Sequence, residues 1–389
     1  MNSQENWPIV SSKEIKIVNK VLKSNKLNYW TGTNCTNFEK EFSNKFKIKY
    51  SISLANGSVG LDIAIKSLKL KKNSEIIVTP RSYISSVTSV INQGLKPIFA
   101  DIDLNSQNIE AKNIEKKITK NTKAIVVVHL GGMPSNMIKI KELAKKYNLK
   151  IIEDCSQAHG AKINNKYVGT FGDVSVWSFC NDKILNTLGE GGIVATKNRN
   201  NFKNLWSLKD CGKNYSKLRK KKRQFKFRWV HDFEGTNLRM TEVQAAVGRY
   251  QLKQLDKWIK KRNINSIKIN KVCEKFRSIK TQKTPKNFTN AYYRCYVFLR
   301  PNFIKKGWTR EKILKYLNKI GLYCDVGSCP EIYKEKFLIT NKLVSSKELE
   351  NASLVGKTSI AFKVSPNIYE SKFNLKMIKL KNFLKEITI

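Results

Sequence analysis

Short runs of branched apolar residues return along the chain, separated by longer stretches in which apolar positions recur every three or four residues. The runs are EIIVT (75–79), KPIFADI (96–102), KAIVVVHL (123–130), LKIIEDC (149–155), VSVWSF (174–179) and GGIVAT (191–196). They are short for helices and rich in Ile and Val. Their near-continuous apolar character, in place of alternation, marks strands buried on both faces. The stretches VGLDIAIKSLKL and MIKIKELAKKYN between the early runs carry the helical period. Strands alternating with helices predict a mostly parallel sheet covered on both sides, an α/β fold.

From Thr241 a long helical pattern begins, TEVQAAVGRYQLKQLDKWIKKRNINSIKIN, and beyond about residue 265 the texture changes. Strand-like AYYRCYVFLR and helical REKILKYLNKIG follow one another there, the mixture expected of a smaller α+β unit. A chain of 389 residues exceeds what one core of ordinary size organises. The expected division is a large α/β domain over residues 1–250 and a small C-terminal domain over 251–389. No internal repeat is visible.

Ligands of open parallel sheets bind beyond the carboxyl ends of the strands. Polar residues at those ends, Thr79, Asp101, His129, Asp154 and Ser178, are therefore candidates. Each has a bland alternative, because such residues also cap the following helix.

Charge changes the picture less than its size suggests. Lys and Arg number 74 against 30 Asp and Glu, a formal net charge of +44. Such an excess ordinarily points to nucleic acid or an anionic membrane. Here the lysines are spread through every segment beside Asn and Ile, which fits a compositional bias at solvent positions better than a docking face. Neither nucleic acid nor membrane is expected as a partner. The one basic cluster with interleaved aromatics, KLRKKKRQFKFRW (217–229), is either a solvated loop or an anion-contacting one.

The 8 cysteines form no CxxC pair, so neither a metal ribbon nor a disulfide framework is indicated, and no metal site is expected. Several lie in apolar runs, as reduced thiols of a cytosolic protein do. The N-terminal MNSQENWPIVSSKEIKIV lacks the order of a signal peptide, and no window approaches the ~18 apolar residues of a membrane helix. A cytoplasmic protein is expected.

Chemistry gathers in a few stretches. In LANGSVGLDIAI (54–65), Gly57 and Ser58 open a helix directly after a strand, a natural phosphate cradle. In IIEDCSQAHGA (151–161), Asp154 ends a buried strand, where a carboxylate is costly unless it meets a cation or donors; a protonated pyridine nitrogen is one such partner, and a helix cap is the alternative. SFCNDK followed by GEGG places Lys183 on a loop after a strand. A partly desolvated amine there suits Schiff-base chemistry. GTNLRMTEVQAA (235–246) leads into a helix and carries Asn237 and Arg239.

Taken in order, these stretches resemble the DegT/DnrJ/EryC1/StrS family of sugar aminotransferases, which use pyridoxal 5'-phosphate (PLP). The resemblance runs from FEKEFSNKF near residue 38 to QAAVGRYQLKQLD near residue 256. It includes TPRSYISS, PIFADID, KAIVVVHLGGMPSNM, IEDCSQAHGA, FGDVSVWSF and GEGG. It implies the aspartate aminotransferase-like architecture of fold type I, with a large PLP-binding domain and a small C-terminal one.

The resemblance also implies roles. Lys183 would hold the cofactor covalently and be the catalytic residue. Asp154 would pair with the pyridine nitrogen, and Gln157 would lie against the ring hydroxyl. Gly57, Ser58 and Ser178 would bind the phosphate, which Asn237 would reach from the partner subunit of a homodimer with shared active sites. Tyr83 falls where the family stacks an aromatic residue on the ring. On the substrate side, His159 lies in the same turn as Gln157, and Arg219, Arg223 and Arg228 of the basic cluster could fork onto a diphosphate. A related branch carries histidine at the lysine position and deoxygenates its sugar; lysine here implies transamination.

The implied reaction moves an amino group from L-glutamate to a nucleotide-linked keto sugar, a 4-keto-6-deoxyhexose in most of the family, for surface polysaccharide or another glycan. Amination at C3, or of a cyclitol, is the alternative within the same chemistry. Outside it stand a polyanion-binding protein, which leaves Asp154, Lys183 and GEGG unexplained, and a pseudoenzyme, against which intact Asp154 and Lys183 argue. Two segments depart from easy assignment: YCDVGSCPEIY (323–333), a substrate-side loop in one subset of the family, and AFKVSPNI, where Ser365 stands in place of an expected histidine.

Overall fold

The structure, a computed structural model, describes residues 7–219, 227–344 and 347–389. The apolar runs all form strands. The first nine strands in chain order are β1 (Tyr50–Leu54), β2 (Glu75–Val78), β3 (Lys96–Phe99), β4 (Thr122–Val128), β5 (Lys150–Asp154), β6 (Lys162–Ile163), β7 (Lys166–Tyr167), β8 (Val174–Ser178) and β9 (Gly192–Thr196). Seven of them make the central sheet in the order β1-β9-β8-β5-β4-β2-β3. The pairs β8–β5, β5–β4, β4–β2 and β2–β3 are parallel. Only β9 runs against its neighbours β8 and β1, so the sheet is mostly parallel as expected. Its carboxyl edge collects the loops that follow β2, β4, β5 and β8.

Each face of the sheet carries its own core. One face buries Ile52, Val78, Val126, Ile152, Val176 and Val194 under the helices Gly57–Ser67 and Arg199–Lys209. On the other, Ile77, Ile125, Val127 and Ile151 meet the helix Met137–Lys146. Successive residues of β4 and β5 thus contribute to opposite cores, which is why these strands read as unbroken apolar runs.

A second sheet holds β10 (Ile279–Thr281), β12 (Cys295–Leu299), β13 (Cys324–Asp325) and β14 (Ser359–Phe362), in the order β10-β12-β14-β13. The short β11 (Phe288–Thr289) pairs instead with β6 in a separate three-stranded sheet, β11-β6-β7, tying the C-terminal part to the hairpin that follows β5. The helix Glu242–Cys273 starts at a capping box in which Thr241 and Gln244 satisfy each other's backbone amides. Residue 250, the end of the expected large domain, lies inside this helix, which continues to Cys273 before the second sheet begins. All eight cysteines are free thiols, and no helix among the described residues is long and apolar enough to cross a membrane.

Candidate active site

A cleft of about 780 Å³ opens at the carboxyl edge of the parallel strands. It is lined by Gly57, Ser58, Tyr83, Asp154, Gln157, Ser178 and Lys183 together. These residues come from four separate strand ends and the loops that follow them, so the fold, not their neighbourhood in sequence, brings them together.

The wall at Gly57 is the start of the helix Gly57–Ser67. The Asn56 side chain caps it by accepting from the Val59 amide at 3.0 Å. The first amides of a helix have no intrahelical partner, and the helix dipole adds positive potential there. Gly57 lies so close to Ser178 that a Cβ at residue 57 would stand 2.6 Å from the Ser178 Cβ. The Ser178 hydroxyl accepts from the Cys180 amide at 3.3 Å and forms the opposite side of this cradle. Gly192 closes it from beneath: a Cβ there would meet the Asn56 carbonyl at 2.5 Å.

Asp154, at the end of β5, is 6 % exposed, and its carboxylate accepts from the Ser156 amide at 3.0 Å. Gln157 is held from both ends. Its Oε1 accepts from the Gly131 amide at 2.7 Å, and its Nε2 donates to the Ser328 hydroxyl at 3.5 Å. Tyr83 is 67 % exposed at the rim.

Lys183 sits across the cleft with its ammonium 4.9 Å from the centre of the Tyr293 ring. Its backbone carbonyl accepts from the Trp7 indole at 2.7 Å. The Tyr293 hydroxyl donates to Asp182, which also receives Arg294 Nη2 at 3.2 Å. Burial pushes the Asp182 carboxyl up, but Lys183, Tyr293 and Arg294 outweigh it and hold it below the usual carboxylate range. Lys183 is thus flanked by a fixed anion and an aromatic face.

The sequence did not point to Trp7, Asp182, Tyr293 or Arg294. The loop 323–333 does reach the site: Asp325, Gly327, Ser328 and Cys329 line the cleft. A bridge between Ser82 and Cys329 and the Ile332 amide on the Pro80 carbonyl at 2.9 Å hold that loop in place.

Other candidates lie elsewhere. Asp101 caps the helix Glu350–Thr358 by accepting from the amides of Asn351 and Ala352. Thr79 accepts from the Arg81 amide. His129 is buried: its Nδ1 accepts from the Ser135 amide at 3.0 Å, so Nε2 keeps the proton and faces Glu153 at 3.2 Å. Glu153 in turn accepts from the amides of Gly169, Phe171 and Gly172. Cys155 stands near enough to make a three-ligand group with these two. The Glu153 oxygens, however, are already engaged by three amides and an imidazole.

The substrate-side residues need correction within this chain. His159 is fully buried beside Phe179 and does not line the cleft. Arg219 stacks on Tyr215, and Arg228 donates to the Lys217 carbonyl. Neither lines the cleft of its own chain, and Arg223 lies outside the described residues. Asn237 is exposed on the loop held by Asp210, which binds Arg239 Nη1 at 2.8 Å. It too is absent from the cleft of its own chain.

The chain resembles proteins of defined activity. It is 34% identical over 339 residues to a GDP-perosamine synthase of Escherichia coli O157:H7, covering 85% of this chain and 86% of that one. It is 39% identical over 247 residues to a dTDP-3-amino-3,6-dideoxy-alpha-D-galactopyranose transaminase of Aneurinibacillus thermoaerophilus, 63% of this chain and 64% of that one. The X-ray structure of an aminotransferase from Psychrobacter cryohalolentis superposes with a TM-score of 0.96 at 38% identity, covering 98% of this chain and 99% of that one. The family model matches residues 8–374, and with this cleft and this sheet the chain belongs to the DegT/DnrJ/EryC1/StrS aminotransferase family.

Proposed function

We propose that this protein is a PLP-dependent aminotransferase that moves an amino group from L-glutamate to a nucleotide-linked keto sugar, a 4-keto-6-deoxyhexose, in the building of a surface polysaccharide or another glycan. The observation that carries it is the meeting of Asp154 and Lys183 in one cleft with the open helix start at Gly57.

The donor set fits PLP. Gly57 leaves the cradle against Ser178 unfilled by side chain, and the first helix amides together with the Ser178 hydroxyl suit a phosphate. Asp154, nearly buried at a strand end, suits a protonated pyridine nitrogen. Gln157 would face the ring hydroxyl, and Tyr83 would supply a ring face; both line the cleft. Asn237, exposed on the surface of its own chain, would complete the phosphate site of the partner subunit in a homodimer. Bound PLP supplies an electron sink for charge developing next to the amino nitrogen.

The chain's own groups do the rest. Lys183 would hold the cofactor through Nζ, and when that amine is free it would take the proton from the donor's α-carbon onto Nζ. Asp182, fixed by Tyr293 and Arg294, keeps a negative charge beside it. Asp154 keeps its partner nitrogen protonated. The loop 323–333 lines the cleft through Asp325, Gly327, Ser328 and Cys329, where it would contact the sugar.

Amination at C3 is the second reading. It is favoured by the similarity to the 3-amino-3,6-dideoxygalactose transaminase, against the GDP-perosamine synthase that supports the first.

The test is the absorption spectrum of the purified protein with PLP, before and after L-glutamate, for the wild type and Lys183→Ala. A near-visible band that shifts with glutamate in the wild type, and is missing in its normal form from the variant, supports the reading. No such band in the wild type overturns it. Product analysis with a 4-keto and a 3-keto nucleotide sugar then separates the two substrates.

A further inference from the structure

Beside the cleft lies a second cavity of about 340 Å³, between the helix Glu242–Cys273 and the C-terminal sheet. It shares Asp182 and Arg294 with the cleft as a common wall. Its remaining charged lining is Arg262, Lys363 and Lys376, so basic groups outnumber the single carboxylate, which Arg294 and Tyr293 already engage. Ile269, Phe362 and Val364 supply apolar walls, and Ser365 lies among them.

Arg262 is the unusual member. It is 2 % exposed, and its Nη1 reaches the carbonyls of Tyr292 and Tyr293 at 3.3 and 3.5 Å. Its Nε and Nη2 have no hydrogen-bond partner among the described residues. The guanidinium lies 5.0 Å from the centre of the Trp7 ring, a contact that leaves those donors unsatisfied. A buried guanidinium with unused donors is costly. Burial, and then the neighbouring Arg294, push its pKa down to about 9.

We propose that this cavity is an anion subsite in which Arg262, backed by Arg294 and Lys363, takes a carboxylate or phosphate group belonging to a molecule bound in the adjoining cleft. The planar fork of Arg262 pairs with two oxygens of one group. Two molecules of the proposed reaction carry such groups: the amino donor, through a carboxylate, and the nucleotide sugar, through its phosphates. In naming these sources the inference rests on the aminotransferase reading. The anion binding itself does not require turnover.

The experiment is calorimetric titration of the PLP-treated protein with glutarate and, separately, with inorganic pyrophosphate. The variants are Arg262→Gln, Arg262→Lys and Lys363→Gln. Binding of one or both anions is expected, weakened roughly tenfold or more by Arg262→Gln, less by Arg262→Lys, and a few-fold by the exposed Lys363→Gln. Preference for glutarate assigns the subsite to the donor's carboxylate, and preference for pyrophosphate assigns it to the nucleotide's phosphates. If neither anion binds the folded wild type, or if folded Arg262→Gln binds both as the wild type does, the proposal is overturned. Should Arg262→Gln not fold, an unchanged affinity in Lys363→Gln overturns it. Because binding is read as heat, its failure is separate from a missing absorption band.

Discussion

Gly57 and Ser178 touch across the mouth of the cradle: a side-chain carbon on residue 57 would stand 2.6 Å from the Ser178 Cβ and 3.0 Å from its Cα. Neither atom belongs to a flexible side chain, so the helix start would have to move. Gly57→Ala should therefore cost about 1–3 kcal/mol of stability, the usual range for overpacking. It should also weaken PLP binding by displacing the first helix amides. Denaturant unfolding and a PLP titration check both effects. Unchanged PLP affinity would remove this helix start from the phosphate site.

Asp154→Asn tests the pyridine contact separately from binding. The amide keeps the shape and the hydrogen bond from Ser156 but cannot hold a protonated nitrogen by charge. The cofactor should still bind, and turnover should fall by about 10²–10⁴, the range of a proton-handling group. A variant with wild-type turnover would place the carboxylate outside the chemistry and make it the cap of the next turn.

Acid should weaken this protein over two overlapping pH windows. His159 is buried, and burial together with the charge of Lys183 lowers its pKa from 6.5 to about 3. The folded imidazole stays neutral where the unfolded one charges, so the stability it contributes is full above pH 6.5 and is lost as pH falls toward 3. Glu153 follows lower down. Burial pushes its carboxyl up, but the His129 contact and the amides of Gly172 and Gly169 outweigh that and hold it below 4.5. Its contribution is present above the ordinary glutamate value and lost as pH falls through the folded one. His159→Phe should flatten the loss between pH 6.5 and 4.5. Glu153→Gln should cost roughly 1.5–3 kcal/mol at neutral pH and flatten only the more acid part. Urea midpoints across pH 7 to 3.5 separate the two.

Much of this was legible in the chain, for identifiable reasons. The apolar runs became strands because burial on both faces leaves an unbroken apolar pattern. Gly57, Asp154, Ser178 and Lys183 lie at strand ends or on the loops beyond them, where a parallel sheet gathers its ligands. Glu153 was not legible. It stands one position before Asp154 on β5, and the twofold alternation of a strand turns it away from the cleft into the Gly169–Gly172 turn. Trp7, Tyr293 and Arg294 were missed because their partners at residues 182 and 183 are more than a hundred positions away in sequence. No local period records such a contact. Composition left the basic cluster around Arg219 and Arg228 open between a solvated loop and an anion-contacting one, because it shows charge but not which surface carries it.

Trp7 gives the last test, because it ties the start of the chain to the backbone of Lys183. Its indole donates to the Lys183 carbonyl at 2.7 Å, its ring meets Trp258 edge-on at 4.9 Å, and Arg262 lies over it. The lysine loop has an aromatic plug behind it, and the hydrogen bond sets where the backbone of Lys183 stands. Trp7→Phe keeps part of the aromatic packing and removes only the donor, so about 1 kcal/mol of stability should go with it. If that bond positions Lys183, the absorption band of the PLP form should persist while turnover falls several-fold, and turnover should fall further in Trp7→Ala, where the packing against Trp258 is lost as well. A stopped-flow measurement of the glutamate half-reaction reads this directly. A rate unchanged in both variants would make Trp7 a packing residue of the chain's start, with no hold on the lysine.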